Sequence, residues 1–120
     1  KMSMPYNELT GTLPSEFAGA MNLINIELHG NLLDGTIPVE FYEPRRASLV
    51  NFNIGDNMFS GSLDTRIGSM TNLKGLHIFE NNLGGEFPSE IGNLNHLPTV
   101  VSTDMSLRGL FHLSWVALLH

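Results

Sequence analysis

A glycine recurs along the chain at a nearly constant interval, each time inside the same short apolar pattern. The copies read LTGTLPSEF from Leu9, LDGTIPVEF from Leu33, FSGSLDTRI from Phe59, LGGEFPSEI from Leu83 and LRGLFHLSW from Leu107. Their glycines are separated by steps of 24, 26, 24 and 24 residues and are Gly11, Gly35, Gly61, Gly85 and Gly109. Five copies at one period predict a fold made of stacked units, because a single unit of this size cannot bury its own apolar side chains.

The segments before these glycines alternate apolar and polar residues, as in LINIELHGNLL (23–33), LVNFNIGDNMF (49–59) and LKGLHIFENNL (73–83). This alternation predicts a short strand in each unit, with one side facing the core. After the glycine, Pro38 and Glu40 suit the start of a helical turn on the far side of the unit. Asp64 replaces the proline in the third copy and is expected to cap that turn.

Stacking brings equivalent apolar residues together, so Ile26, Phe52 and Leu76 are expected to be neighbours on adjacent strands. The recurring glycine allows the tight turn that each unit needs. An asparagine also recurs, and a buried amide can bond backbone groups where no sheet ladder reaches them. We therefore predict structural, not catalytic, roles for Asn7, Asn31, Asn57 and Asn81.

These patterns resemble the leucine-rich repeat family, L-x-x-L-x-L-x-x-N-x-L, and the LxGxIPxE half resembles its plant-type subclass in receptor-like kinases and receptor-like proteins. The resemblance implies an α/β repeat solenoid, with short parallel strands on the concave face, short helical or 3₁₀ turns on the convex face, and an asparagine ladder. We expect one array over residues 1–120, incomplete at both ends and irregular after residue 97, where Ser102 and Met105 break the pattern.

Strand residues that point away from the core vary from unit to unit, which leaves room for recognition. The candidate partner-binding residues on this concave face are Glu27, His29, Asn51, Asn53, Asp56, His77, Phe79 and Glu80. Their acids favour a protein or peptide ligand with basic or hydrogen-bonding groups, and Phe79 is the candidate anchor. Two alternatives stay open: these residues are simply solvated, and Phe79 packs over the next coil.

Composition and motifs argue against several other functions. Twelve acids against six bases give a net charge of −6, which disfavours nucleic acid as a partner. Cysteine is absent, and no apolar run is long enough to span a membrane. Glu27 and His77 lie two coils apart, about 10 Å at sheet spacing, so they do not form a metal site. Catalytic motifs are lacking, and we expect neither an enzyme nor a bound cofactor.

Two functional hypotheses follow. The chain is a recognition module that binds a protein or peptide ligand, within an extracellular or cell-surface ectodomain of a receptor-like protein or kinase whose kinase domain would lie elsewhere. Alternatively, it is a cytoplasmic scaffold with no receptor role. The absence of cysteine and of N-x-S/T glycosylation sites favours the second hypothesis slightly, and the LxGxIPxE subclass favours the first more.

Overall fold

The fold is a coil of short elements that repeats along the chain. A computed structural model describes residues 1–19, 23–43, 48–86, 88–94 and 100–101. Five of its strands form one parallel sheet in the order β1, β3, β5, β6, β7, and their bounds are Met2–Ser3, Asn25–Glu27, Asn51–Asn53, Gly75–His77 and Val100–Val101. The predicted parallel stacking is confirmed, since each strand pairs with its equivalent in the next coil.

The register of this sheet is the one that the repeat predicts. Ile26 pairs with Phe52, and Phe52 pairs with Leu76. All three side chains are at most 1% exposed, and Leu28, Ile54 and Ile78 form a similarly buried second row. Burying a side chain of this kind stabilises the fold by roughly 1.5–3 kcal/mol. The core is therefore a continuous column that passes through neighbouring coils.

A second, smaller sheet lies beside the first and was not predicted from the sequence. Strands β2 (Thr10–Thr12) and β4 (Leu32–Asp34) pair in parallel, and an isolated bridge between Thr36 and Ser60 extends the pairing to the next coil. The recurring glycine lies at this segment. Gly11, Gly35, Gly61 and Gly85 have φ between 76° and 89°, so the predicted tight turn is confirmed.

The convex side carries short 3₁₀ helices, as predicted. They span Ser15–Gly19, Val39–Tyr42, Thr65–Ser69 and Ser89–Asn93. Asp64 caps the third helix, because its carboxylate accepts a hydrogen bond from the Arg66 backbone N–H. The expectation that proline occupies the first helical position was wrong by one residue: Pro38 and Pro88 precede their helices. Their fixed φ suits this extended residue equally well.

Part of the chain lies outside the described residues. Residues 44–47 and most of the segment after residue 94 belong to it. The predicted irregularity after residue 97 therefore lies outside the described residues, apart from strand β7, which continues the regular stack. Within the described segments, no helix has the length and apolar content needed to cross a membrane.

Candidate recognition surface

The side chains of the main sheet that face away from the core form a half-buried polar surface, which we call the concave surface. It is built from the predicted residues Glu27, Asn51, Asn53 and His77, together with Asn25. The sheet register sets Glu27, Asn53 and His77 side by side, and Asn25 beside Asn51. Because the core fixes this register, the polar neighbours are fixed relative to each other as well.

Asparagine side chains in the centre of the concave surface already have defined orientations. Asn51 Nδ2 donates to Asn25 Oδ1 at 2.7 Å, and Asn53 Oδ1 accepts from the Gly55 N–H at 3.2 Å. Gly75 leaves room for this arrangement, since a Cβ there would lie 2.6 Å from Asn51 Oδ1. These hydrogen bonds therefore hold the Asn51 and Asn53 side chains in defined orientations within the concave surface.

Glu27 is the acid at the first edge of the concave surface, and its charge is partly compensated. Ser3 Oγ donates to Glu27 Oε2 at 2.6 Å, and Lys1 Nζ lies 3.3 Å from the same oxygen. The Ser3 hydrogen bond, followed by Lys1, holds the pKa of the Glu27 carboxyl below its usual value. Glu27 is therefore ionised at neutral pH, with one neighbouring cation in place.

An aromatic strip follows the ends of the strands. Phe79 is half-buried and lies over Gly55, where an added Cβ would come within 3.1 Å of its ring. Phe79 therefore packs over the preceding coil, whereas the alternative named the next coil, whose corresponding residues lie outside the described part of the chain. The His77 ring meets Phe79 edge-on at 6.2 Å, and burial, with a smaller contribution from His29, lowers the pKa of His77. An aromatic that still exposes part of its ring on a fixed support suits a contact residue.

Tyr6 extends this strip at the opposite end and was not among the predicted site residues. Its ring meets His29 edge-on at 5.0 Å and covers Gly30, yet 77% of the residue is exposed. In the repeat, Tyr6 occupies the position that Asp56 and Glu80 occupy in later coils, and this equivalence was the signal in the sequence that could have identified it. The order of the strands alone did not show that the Tyr6 ring would cover Gly30 in the next coil.

Asp56 and Glu80 lie at the rim of the concave surface. Asp56 and Glu80 are both exposed. Both adopt a left-handed backbone conformation with φ 52°, as Tyr6 does. Hydrogen bonds between coils hold this conformation: the Asp56 N–H donates to the Phe79 carbonyl at 2.9 Å, and the Asn57 N–H donates to the Glu80 carbonyl at 3.0 Å. The rim therefore presents its carboxylates on an ordered backbone.

Three of the four recurring asparagines, Asn31, Asn57 and Asn81, lie just past the rim and bond backbone groups between coils. Asn57 is 9% exposed; its Oδ1 accepts from the Leu33 N–H at 3.0 Å, and its Nδ2 donates to the carbonyls of Leu28, Ile54 and Gly55. Asn31 and Asn81 make the equivalent bonds in their coils. Asn7, in the first coil, is exposed and donates to the Pro5 carbonyl.

The described residues contain no group of three or more histidine, aspartate or glutamate side chains that could hold a metal ion. The predicted site residues are brought together as a strip across neighbouring coils, with Glu27 and Phe79 toward opposite ends. Within the described part of the chain, these side chains form an extended, open surface.

Comparison with known proteins identifies the repeat. A profile of the Leucine Rich Repeat family matches residues 72–94. A curated relative, Receptor-like protein kinase 7 of Arabidopsis thaliana, is 37% identical over 119 residues, which cover 78% of this chain and 12% of the relative. The chain belongs to the leucine-rich repeat family.

Solved structures of leucine-rich repeat ectodomains superpose on this member. The GASSHO1/SCHENGEN3 ectodomain from Arabidopsis thaliana, in complex with CASPARIAN STRIP INTEGRITY FACTOR 2, aligns with a TM-score of 0.79 at 33% identity, covering 86% of this chain and 12% of that one. The Arabidopsis HAESA ectodomain, in complex with an IDA peptide hormone ligand, aligns with a TM-score of 0.76 at 30% identity, covering 89% of this chain and 19% of that one. This leucine-rich repeat chain therefore spans a small part of each relative, and the comparisons indicate no enzymatic domain within it.

Proposed function

We propose that the concave surface binds a peptide or an extended segment of a protein, as part of a receptor-like ectodomain. The observation that carries the proposal is the continuous strip of oriented amides, carboxylates and aromatic rings across neighbouring coils. Similarity to an ectodomain whose structure contains a peptide hormone supports it. A fold can host many functions, so the proposal rests on the side chains of the concave surface and not on the fold alone.

The dimensions of the sheet set the length of the ligand segment. Five parallel strands at about 4.8 Å spacing span roughly 19 Å, which an extended chain covers with about six residues at roughly 3.3 Å each. A segment lying across the strands would run along two parallel rows, the Asn25–Asn51 pair and the row of Glu27, Asn53 and His77. We propose that these groups hydrogen-bond the ligand backbone.

The carboxylates are the basis for the charge that we propose for the ligand. Asp56 is an exposed acid at the rim, close to the half-buried Phe79. A ligand residue with a basic group and an apolar stem would contact both, because Lys and Arg bury their methylenes while the charge stays at a polar rim. We therefore propose a peptide with at least one basic residue.

The test uses a displayed library of random linear peptides, selected against the full chain. The double variant Phe79→Ala, Glu80→Lys changes the concave rim. The matched control, Val39→Ala with Glu40→Lys, makes the same change of charge at exposed residues of the convex 3₁₀ helix. We expect the rim variant to weaken binding of the selected peptides by about tenfold or more and the control to weaken it less than about twofold.

Equal losses in the two variants would contradict binding at the concave surface, as would no loss in either. Thermal unfolding of both variants checks that folding is preserved. The rim variant removes the half-buried Phe79 ring, which can lower stability. Its thermal unfolding midpoint is therefore compared with that of the unmodified chain.

The extracellular location is proposed as well, since the relatives are receptor kinases and receptor-like proteins. The substitution Lys74→Thr puts a threonine two residues after Asn72 and so creates an N-x-T glycosylation sequence, in a chain that otherwise lacks one. Asn72 and Lys74 are both exposed, so the new site is accessible. Expression of the full-length protein in plant cells should then give a mobility shift that a glycosidase reverses. An unshifted variant beside a shifted secreted standard would favour the cytoplasmic scaffold.

A further inference from the structure

The second sheet and its continuation form a separate face at the side of the solenoid, which we call the lateral face. It comprises the outward residues Thr10, Thr12, Leu32, Asp34, Thr36, Met58, Ser60 and Ser62. The recurring asparagines separate this face from the concave surface. None of the side chains on the lateral face has to be apolar for the leucine core to form.

Two apolar side chains stand on this face nevertheless. Leu32 is 46% exposed and Met58 is 43% exposed, although Leu33, next to Leu32, is buried. Hydrogen bonds between coils fix their backbones: the Leu32 N–H donates to the Leu9 carbonyl at 2.9 Å, and the Met58 N–H donates to the Leu33 carbonyl at 2.7 Å. The equivalent positions in the first and fourth coils are Glu8 and Asn82, so the apolar pair is confined to the two coils between them.

The surroundings of this pair are acidic. Glu8, Asp34 and Glu86 are exposed on or beside the lateral face, and Asp56 is exposed where the face meets the concave rim. Bases in the described part of the chain lie elsewhere: Lys1 pairs with Glu27, Arg66 pairs with Asp64 and Glu43 on the convex side, and Lys74 precedes β6. The described charged residues on and beside the lateral face are therefore acids, which favours a positively charged partner.

We infer that the lateral face docks a second protein through an apolar contact at Leu32 and Met58, surrounded by Lys or Arg side chains of that partner. Apolar contact supplies the affinity, and the acidic rim selects a basic surface. A second copy of this chain is disfavoured because it would bring acids against acids. The site is separate from the concave surface, so a peptide ligand and this partner can be bound together.

The test measures binding of two synthetic amphipathic helical peptides to the full chain by fluorescence anisotropy, one made of Leu and Lys and one of Leu and Glu. The lateral variant is Met58→Ser with Asp34→Lys. The matched convex control is Val39→Ser with Glu40→Lys, at an apolar residue that is 47% exposed and an acid that is also exposed. Leu32→Gln, at another exposed side chain, is the second lateral variant in case the first does not fold.

The proposal predicts that the Leu/Lys peptide binds about tenfold or more tightly than the Leu/Glu peptide, and that a lateral variant loses about tenfold while the convex control loses less than about twofold. Equal losses in lateral and convex variants would mean general attraction to the net charge and would overturn it. Self-association that a lateral variant abolishes, measured by sedimentation, would make a second copy the occupant and would also overturn it. Binding of library-selected peptides should be unchanged in the lateral variants, so failure here is distinguishable from failure of the concave-surface proposal.

Discussion

At the scale of single residues, the recurring asparagine shows how one side chain can replace a stretch of regular hydrogen bonding. The Asn57 amide serves one N–H and three carbonyls from two coils, at a place where the strands have ended and the helices have not begun. A buried backbone group without a partner is costly, and the apolar residues around this site could not provide one.

Asn57→Ala is therefore expected to lower the free energy of unfolding by about 3 kcal/mol, because several buried backbone groups lose their partner together. Denaturant unfolding measures the change. Asn7→Ala is the control, since Asn7 is exposed and donates to one nearby carbonyl; we expect less than about 1 kcal/mol. Equal losses at the two positions would refute this account of the buried amide.

At the scale of elements, the third 3₁₀ helix is capped differently from its neighbours. Where other copies have proline, Asp64 accepts from the Arg66 backbone N–H and also pairs with the Arg66 side chain at 2.8 and 2.9 Å. These contacts hold the pKa of Asp64 at about 2, below its ordinary value of 3.8, and the hydrogen bond with the Arg66 side chain makes the largest contribution.

Because the folded pKa is the lower one, the stabilisation is present above about pH 4 and is lost as the pH falls toward 2. It is small, since the pair is largely in solvent. Arg66→Ala should raise the Asp64 pKa part of the way toward 3.8, because the backbone N–H remains as a donor. A carbon-detected NMR titration measures it; an unchanged pKa would show that the guanidinium is not the cause.

How far the sequence predicts these elements depends on what sets each one. Periodic apolar residues determine the register of the main sheet, so Ile26, Phe52 and Leu76 could be aligned in advance. The second sheet could not, because Thr10–Thr12 and Leu32–Asp34 have no strong alternation that would mark them as paired strands. The position of Phe79 over Gly55 depends on side-chain rotation across coils, which a repeat pattern does not encode.

At the scale of the whole molecule, stability comes from contacts between neighbouring coils, so one core truncation loosens two interfaces. Leu76 is fully buried between Phe52 and the strand that follows. Leu76→Ala should cost about 2–5 kcal/mol, whereas Ile24→Ala, at a residue that is 49% exposed, should cost less than about 1 kcal/mol. Chemical denaturation compares the two, and similar small losses would contradict the stacked core.

The same stacking turns a one-coil pattern into a surface long enough for a peptide. Each coil contributes one or two outward side chains, and their alignment depends on the core beneath them. Strand alternation thus separates the proposed recognition surface from the core: outward residues can change while inward residues are retained. The lateral face obeys the same rule on the smaller sheet.

NMR of the asparagine side-chain amides in a ¹⁵N-labelled full chain, recorded with and without a library-selected peptide, tests whether the concave surface binds the peptide. Binding at the concave surface predicts that the Nδ2 signals of Asn51 and Asn53 shift on peptide addition, while those of the exposed Asn72 and Asn93, away from that surface, stay in place. Shifts at Asn72 and Asn93, with Asn51 and Asn53 unmoved, would contradict it.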